Sequence, residues 1–305
     1  MTGIITPPPD ASRPVVVVNA DGSRPVVVVN ADDYGLSPGV SQGILALIRQ
    51  GRLSGTSCMT ATPYWPEHAT WLAEVADQAD IGLHLTLTDQ EPAGPCPALA
   101  PSGRFGSVGD LMVRALTGRL MGAAIQADLT AEIDRQLDLF EAHAGRAPSH
   151  VDGHQHVHLL PGIRGLVLDA VARRYPAGSV YVRDCSEPIP AVLARGVDSV
   201  KALIIATLAR GLAAAAARRG IPTNRGFRGV YDFGPGRDFP ALMAKFLEPA
   251  RDRALIMVHP ALPDEVLAGL DPVVASRQVE QAYLAGPAFA ALLDRAGVRL
   301  GRLLG

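Results

Sequence analysis

The chain has 305 residues, of which 48% are hydrophobic and 19% are charged, and this is long and apolar enough to exclude global disorder. A net charge of −2 provides no basic excess for binding nucleic acid or an anionic membrane surface. Cys58, Cys96 and Cys185 form no CxxC pair, so we expect no disulfide framework, no thiolate zinc site and a cytoplasmic location.

The first predicted element is a strand that occurs twice. The nine residues RPVVVVNAD stand at 13–21 and again at 24–32, and four consecutive valines are typical of a short buried strand. Only the second copy continues into DDYGLSPG and can lead into a helix. We therefore predict an N-terminal extension at 1–23, loosely held and without the features of a secretory signal, followed by one domain at 24–305.

Strands and helices then alternate. Ser37-Pro38 predicts a helix start, because serine caps a helix and proline suits its first position. The next predicted elements are a strand at 55–60, a helix at 68–78, a strand at 80–87, a helix at 124–144, a strand at 150–152, a helix at 161–174, a strand at 180–184, helices at 200–219 and 239–247, a strand at 254–258 and a helical stretch at 271–296. The proline-rich loop at 91–106 is long enough to shape a site.

This alternation favours an α/β protein with a mostly parallel sheet. At this length we predict an irregular, TIM-like (β/α) barrel rather than an open doubly wound sheet, and no GxGxxG follows the first strand. The apolar run at 200–217 contains Lys201 and Arg210, so we interpret it as an amphipathic or packed helix and not as a transmembrane segment.

Side chains that can bind a metal or transfer a proton lie at or near the ends of several predicted strands. Asp32 and Asp33 end the first strand, His84 lies in IGLHLTL, and His259 ends a late strand. Because the carboxyl ends of parallel strands open on one face, these side chains should converge there. Taken singly, each has a structural alternative: a helix cap and solvated turn for the two aspartates, a core histidine for His84 and a strand-end histidine for His259.

The segment SHVDGHQHVH at 149–158 concentrates half of the chain's eight histidines. Imidazole is a preferred ligand of zinc and related ions, and Gly153 would let the backbone turn His154 towards the site. Asp152, His156 and His158 are candidates for orienting the ligands. The alternative is a histidine-rich surface loop.

One carboxylate and two imidazoles around a divalent ion would leave positions open for water and substrate, which is typical of a catalytic site. The ion would activate water and polarise a carbonyl, while a free carboxylate takes the proton. His259 is a candidate for protonating a departing amine.

The motifs NADDYGLSPGVSQGI at 30–44, GLHLTLT at 82–88 and HVDGHQHVH at 150–158 resemble the YdjC-like carbohydrate deacetylase family, and MVHPA at 257–261 is similar to its late histidine-proline motif. The resemblance implies an irregular (β/α) barrel that removes acetyl groups from sugars such as chitooligosaccharides. It implies that Asp32 is the catalytic base and that Asp33, His84 and His154 bind one divalent ion, zinc or magnesium.

The leading hypothesis is thus a metal-dependent N-deacetylase of an amino sugar. Gly153 replaces a serine of many relatives, and the alanine- and arginine-rich region at 188–228 differs from typical chitooligosaccharide enzymes. The substrate is therefore expected to be an acetylated oligosaccharide or a lipid-linked glycoside, and a homodimer is compatible with the sequence. The alternatives are a metal-dependent hydrolase of another amide, an ester or a phosphoester, and a non-catalytic metal- or carbohydrate-binding barrel.

Overall fold

A computed structural model describes residues 22–304 of the chain, so most of the predicted extension at 1–23 lies outside the described residues. Within that range the strands form one sheet of eight, paired in parallel throughout. The strands are β1 (Val26–Tyr34), β2 (Gly55–Cys58), β3 (Asp80–Leu85), β4 (His150–Gly153), β5 (Tyr181–Val182), β6 (Phe227–Arg228), β7 (Ala254–Val258) and β8 (Arg299–Leu300).

Helices connect and cover these strands. They are α1 (Pro38–Arg49), α2 (Trp65–Trp71), α3 (Val108–Leu116), α4 (Ala123–Ala144), α5 (Arg164–Arg174), α6 (Ile189–Arg195), α7 (Ser199–Leu208), α8 (Leu212–Ala217), α9 (Phe239–Leu247), α10 (Glu265–Leu270), α11 (Ala275–Ala285) and α12 (Pro287–Arg295). Among residues 22–304, three short 3-10 segments lie at Leu72–Val75, Arg119–Met121 and His154–Leu159. As predicted, Ser37 caps α1, because its side chain accepts a hydrogen bond from the backbone N–H of Val40.

The sheet runs in the order β5-β4-β3-β2-β1-β7-β6, with β8 paired to the start of β1. Residues 220–224 lie in the gap between the edge strands β5 and β6. They run alongside β5, where the N–H of Val182 donates to the carbonyl of Pro222 at 3.0 Å. The same segment then leads into β6 beside β7. The parallel sheet and its helices confirm the predicted class, an irregular (β/α) barrel.

The valines of β1 explain its central position. Val27, Val28 and Val29 are at most 2% exposed, because β2 and β7 flank the strand and helices cover the sheet. Since β1, β3, β4 and β7 all run in the same direction, their carboxyl ends share one side of the sheet.

The prediction of one helix over 200–219 is wrong. α7 ends at Leu208, and Gly211 directly before α8 has φ 80°, a left-handed conformation that interrupts a continuous helix. By length and composition Ser199–Ala217 could still span a membrane, with a mean hydropathy of 1.6, and 28% of that stretch is buried. Short elements such as α3, α6, α10, β6 and β8 were not predicted, and α2 begins at Trp65 rather than at His68.

Candidate metal centre and active site

The two adjacent aspartates both reach the site because β1 is irregular where they stand. Successive residues of a regular strand point to opposite faces. Here the register with β2 shifts between Ala31 and Tyr34, and Asp33 has φ 70°, which is unusual for a residue with a side chain. Asp32 and Asp33 are each 1% exposed, so both carboxylates need partners of opposite charge.

Asp33, His84 and His154 form a compact set of possible metal ligands. The Oδ1 atom of Asp33 lies 2.9 Å from Nδ1 of His154 and 3.3 Å from Nε2 of His84. One ligand atom from each residue lies within 4.8 Å of the other two. The structure therefore brings together the three side chains that were predicted as metal ligands, which lie on or directly after three separate strands.

The tautomer of His84 leaves the nitrogen that faces this set free for a cation. Nδ1 of His84 lies 2.6 Å from Oδ1 of Asp152, so its N–H donates to that carboxylate and fixes the ring. Burial opposes a charged imidazole, but the carboxylates of Asp152 and Asp32 raise the pKa of His84 to about 10. The site thus favours positive charge at Nε2, as a proton or as a divalent cation, and the residues fit a metal.

Asp32 is held by a buried arginine that sequence analysis did not find. Nη1 and Nη2 of Arg183 donate to Oδ2 and Oδ1 of Asp32 at 2.8 and 2.6 Å. Burial would raise the pKa of Asp32, but Arg183 and His84 hold it below its usual value. Arg183 directly follows β5, and a single arginine after a short apolar strand was the only signal in the sequence.

The guanidinium of Arg183 also contacts a second set of possible metal ligands. Asp32, His84 and Asp152 also have ligand atoms within 4.8 Å of one another. However, Nη2 of Arg183 contacts the carboxylates of both Asp32 and Asp152, and the hydroxyl of Ser57 donates to Asp152 at 2.6 Å. A cation already neutralises this second set, so the set around Asp33 is the better metal site.

The outer oxygen of Asp33 is taken by another unpredicted arginine. Nη2 of Arg277, on α11, lies 2.6 Å from Oδ2 of Asp33 and 2.6 Å from Oδ2 of Asp271. Burial would raise the pKa of Asp33, but Arg277 and His154 hold it well below its usual range. Asp33 is therefore ionised, with Oδ1 directed at the two imidazoles.

A model of the family described as YdjC-like protein matches residues 26–295. The chain belongs to the YdjC-like family. It is 30% identical over 276 residues to a chitooligosaccharide deacetylase of Enterobacter sp. (strain 638), covering 89% of this chain and 95% of the relative. It is 29% identical over 277 residues to the chitooligosaccharide deacetylase of Yersinia pestis bv. Antiqua (strain Angola), with the same coverage.

A solved structure shares the fold of this YdjC-like chain. It is a protein of Enterococcus faecalis V583 that is provisionally assigned to cellobiose-phosphate cleavage. The TM-score is 0.69 at 22% sequence identity, and the match covers 92% of this chain and 98% of the other. At this identity the similarity shows the fold alone, and it agrees with the irregular barrel described above.

The remaining histidines that were predicted for the site lie around it in different ways. Burial lowers the pKa of His259 to about 4 despite the opposing effect of Asp33, and within residues 22–304 its Nδ1 has no hydrogen-bond partner. The ring of His158 is buried behind the site, where Nε2 donates to the carbonyl of Arg183 at 3.0 Å. His156 instead packs edge-on against Phe227, so in the described part of the chain it does not orient a ligand candidate.

Proposed function

We propose that this YdjC-like chain is a metal-dependent hydrolase that removes the acetyl group of an N-acetylated amino sugar, as the names of its relatives indicate. One observation carries the proposal: an Asp-His-His set lies directly beside a second, ionised aspartate. A cytoplasmic location and a homodimer stay predictions from the sequence.

Asp33, His84 and His154 would hold the ion. Two imidazoles and one carboxylate suit zinc better than magnesium, which prefers oxygen ligands. A bound divalent ion polarises a carbonyl and lowers the pKa of water to about 7. Arg277 holds the outer oxygen of Asp33, so only Oδ1 faces the two imidazoles, and the three side chains would leave room for water and for the acetyl group.

Asp32 is the better general base of the two aspartates. Both oxygens of Asp33 are engaged, one with the imidazoles and one with Arg277. Oδ2 of Asp32 accepts a hydrogen bond from Arg183 and lies 3.9 Å from Nε2 of His84, so a lone pair remains on the side of the metal set. Arg183 keeps Asp32 ionised and fixes its direction, which a base requires.

His259 is proposed to protonate the departing amine. Its ring stands edge-on to Phe233 at the end of β7, with a centroid distance of 4.9 Å. Because burial lowers its pKa to about 4, the ring is neutral near neutral pH. It can therefore act as an acid only if it gains a proton during the reaction.

The test is acetate release from N-acetylglucosamine, its oligomers and a lipid-linked N-acetylglucosamine. Chelation should abolish release, and adding back zinc, magnesium, manganese or cobalt singly should identify the ion that restores it. Asp32→Asn should lose nearly all activity while retaining the metal, whereas Asp77→Asn, at an exposed carboxylate, should retain both.

Three outcomes would contradict the proposal. Undiminished acetate release after complete removal of metal would exclude the metal mechanism. Phosphate release without acetate release would indicate a phosphoester hydrolase, and metal binding without turnover of any acetylated sugar would indicate a binding protein.

A further inference from the structure

A cavity lies where the chain bridges the gap between β5 and β6. Its volume is about 480 Å³, and α6, α7 and the segment at 223–226 line it. Arg183 directs its side chain inward to Asp32, whereas the next residue, Asp184, lines this cavity. Because successive residues of extended chain point to opposite sides, the cavity lies behind the wall of the metal site. The candidate metal ligands do not line it.

Three arginines give one side of this cavity a positive charge. Arg210, Arg225 and Arg251 line it and are exposed, and across residues 22–304 their guanidinium groups have no ion pair or hydrogen bond. The two acidic side chains of the lining are already engaged. Glu187 binds Arg195 at 2.9 Å, and Asp184 accepts a hydrogen bond from the hydroxyl of Ser186 at 2.6 Å.

Apolar side chains also line the cavity, and neighbouring apolar side chains continue onto the surface. Ile189, Leu203 and Ala206 contribute to the lining. Ile189 is 48% exposed and lies one helical turn from Leu193 on α6, which is 55% exposed. On α7, residues Val200 and Ile204 are exposed in the same i, i+4 relation. The lining therefore combines three guanidinium groups with apolar side chains, and these form its cationic and apolar walls.

We propose that this cavity is a second binding site, for an amphiphile with a phosphate group. The phosphate would bind the arginines, since one guanidinium group can donate two parallel hydrogen bonds to phosphate oxygens. The alkyl part would lie along Ile189 and Leu203. The unpaired arginines and the adjoining apolar wall point to one ligand with both properties. This site is separate from the deacetylase site, and its test does not depend on acetate release.

Calorimetric titration of the full chain with octyl phosphate, 1-octanol and inorganic phosphate tests the proposal. Octyl phosphate should bind at least about tenfold more tightly than either of its two halves, because only it satisfies both walls. Equal binding of octanol would show that the arginines are not used, and equal binding of inorganic phosphate would show that the apolar wall is not used. Either result, or no binding of octyl phosphate, overturns the proposal.

Substitutions in the lining locate the bound probe. Arg210→Gln and Arg251→Gln should each weaken the binding of octyl phosphate about tenfold, the loss expected for one charge-assisted hydrogen bond. Both side chains are exposed, so the fold and acetate release should be unaffected. Arg104→Gln, at an exposed arginine outside the cavity, is the matched control and should bind like the wild type. Unchanged affinity in both cavity variants would refute the site.

A final measurement identifies the source of the phosphate. If the ligand is a bilayer lipid, the chain should float with vesicles of phosphatidylcholine and phosphatidylglycerol, and Arg251→Gln should reduce flotation. If the ligand is a soluble amphiphile, octyl phosphate binds but the chain does not float. Flotation of the wild type that Arg251→Gln leaves unchanged would contradict recognition of the phosphate by this arginine.

Discussion

Replacing Glu280 by glutamine should make the free energy of unfolding less dependent on pH. Glu280 lies on α11 and is fully buried, and it accepts hydrogen bonds from the hydroxyl of Tyr231 and from the backbone N–H of His259, both at 2.5 Å. Burial raises its pKa from 4.5 to about 7, although these hydrogen bonds and Arg277 act in the opposite direction.

The size and sign of the effect follow from this pKa. The folded protein binds the proton of Glu280 more tightly than the unfolded chain does. The resulting stabilisation is fully present below about pH 4.5 and is lost as the pH rises through about 7. A pKa difference of one unit between the folded and unfolded states corresponds to about 1.4 kcal/mol, so the rise from 4.5 to about 7 corresponds to a loss of about 3 kcal/mol. Glu280→Gln stays neutral and avoids this loss, because its amide can donate to the oxygen of Tyr231 while its carbonyl accepts from His259.

Urea unfolding at several pH values between about 5 and about 8 measures the difference. The free energy of unfolding of Glu280→Gln relative to wild type should increase by about 3 kcal/mol over the range from about pH 4.5 to above 7, most of it within the measured interval. Glu91→Gln, which changes an exposed carboxylate in a loop, should show no comparable increase. The other titrating groups are common to all three proteins. A difference that stays constant with pH would refute the reasoning.

Three further substitutions test the site and the fold. Arg183→Lys keeps the charge but loses the two-pronged contact with Asp32, so the pKa of Asp32 should rise and the acidic limb of the kcat/KM profile for acetate release should move to higher pH. If the acidic limb of Arg183→Lys lies at the same pH as in the wild type, Arg183 does not position Asp32 for catalysis. Asp33→Ala should abolish zinc binding in equilibrium dialysis, while Asp32→Asn should keep it; equal loss in both would place the ion elsewhere. Gly229→Ala should lower the free energy of unfolding by about 2 kcal/mol or more, measured by urea unfolding, because φ is 104° and an added Cβ would overlap the carbonyl of Met257.

Structural elements that depend on a few consecutive residues could be predicted from the sequence. The four valines of β1 specify a strand buried on both faces, and Ser37-Pro38 specifies the start of α1, because these signals act over a few residues. The convergence of Asp33, His84 and His154 was also predictable, since the carboxyl ends of parallel strands share one side.

The partners that set the charge of the site could not be predicted in the same way. Arg183 is 151 residues from Asp32 along the chain, and Arg277 is 244 residues from Asp33. The position of Arg183 after a short apolar strand was its only signal, and nothing in the local pattern of Arg277 distinguishes it from a surface residue. Strands of two residues, such as β6, are equally hard to find, because they are too short to show alternation and form only beside β7.

Helix α11 contacts both the proposed metal ligand Asp33 and the proposed acid His259. Arg277 occupies the outer oxygen of the metal-ligand candidate Asp33, and Glu280, one turn later, binds the backbone N–H of His259. A shift of α11 would therefore change the direction of Asp33 and the position of His259 together. Glu280 thus fixes the end of β7 relative to the same helix that orients Asp33.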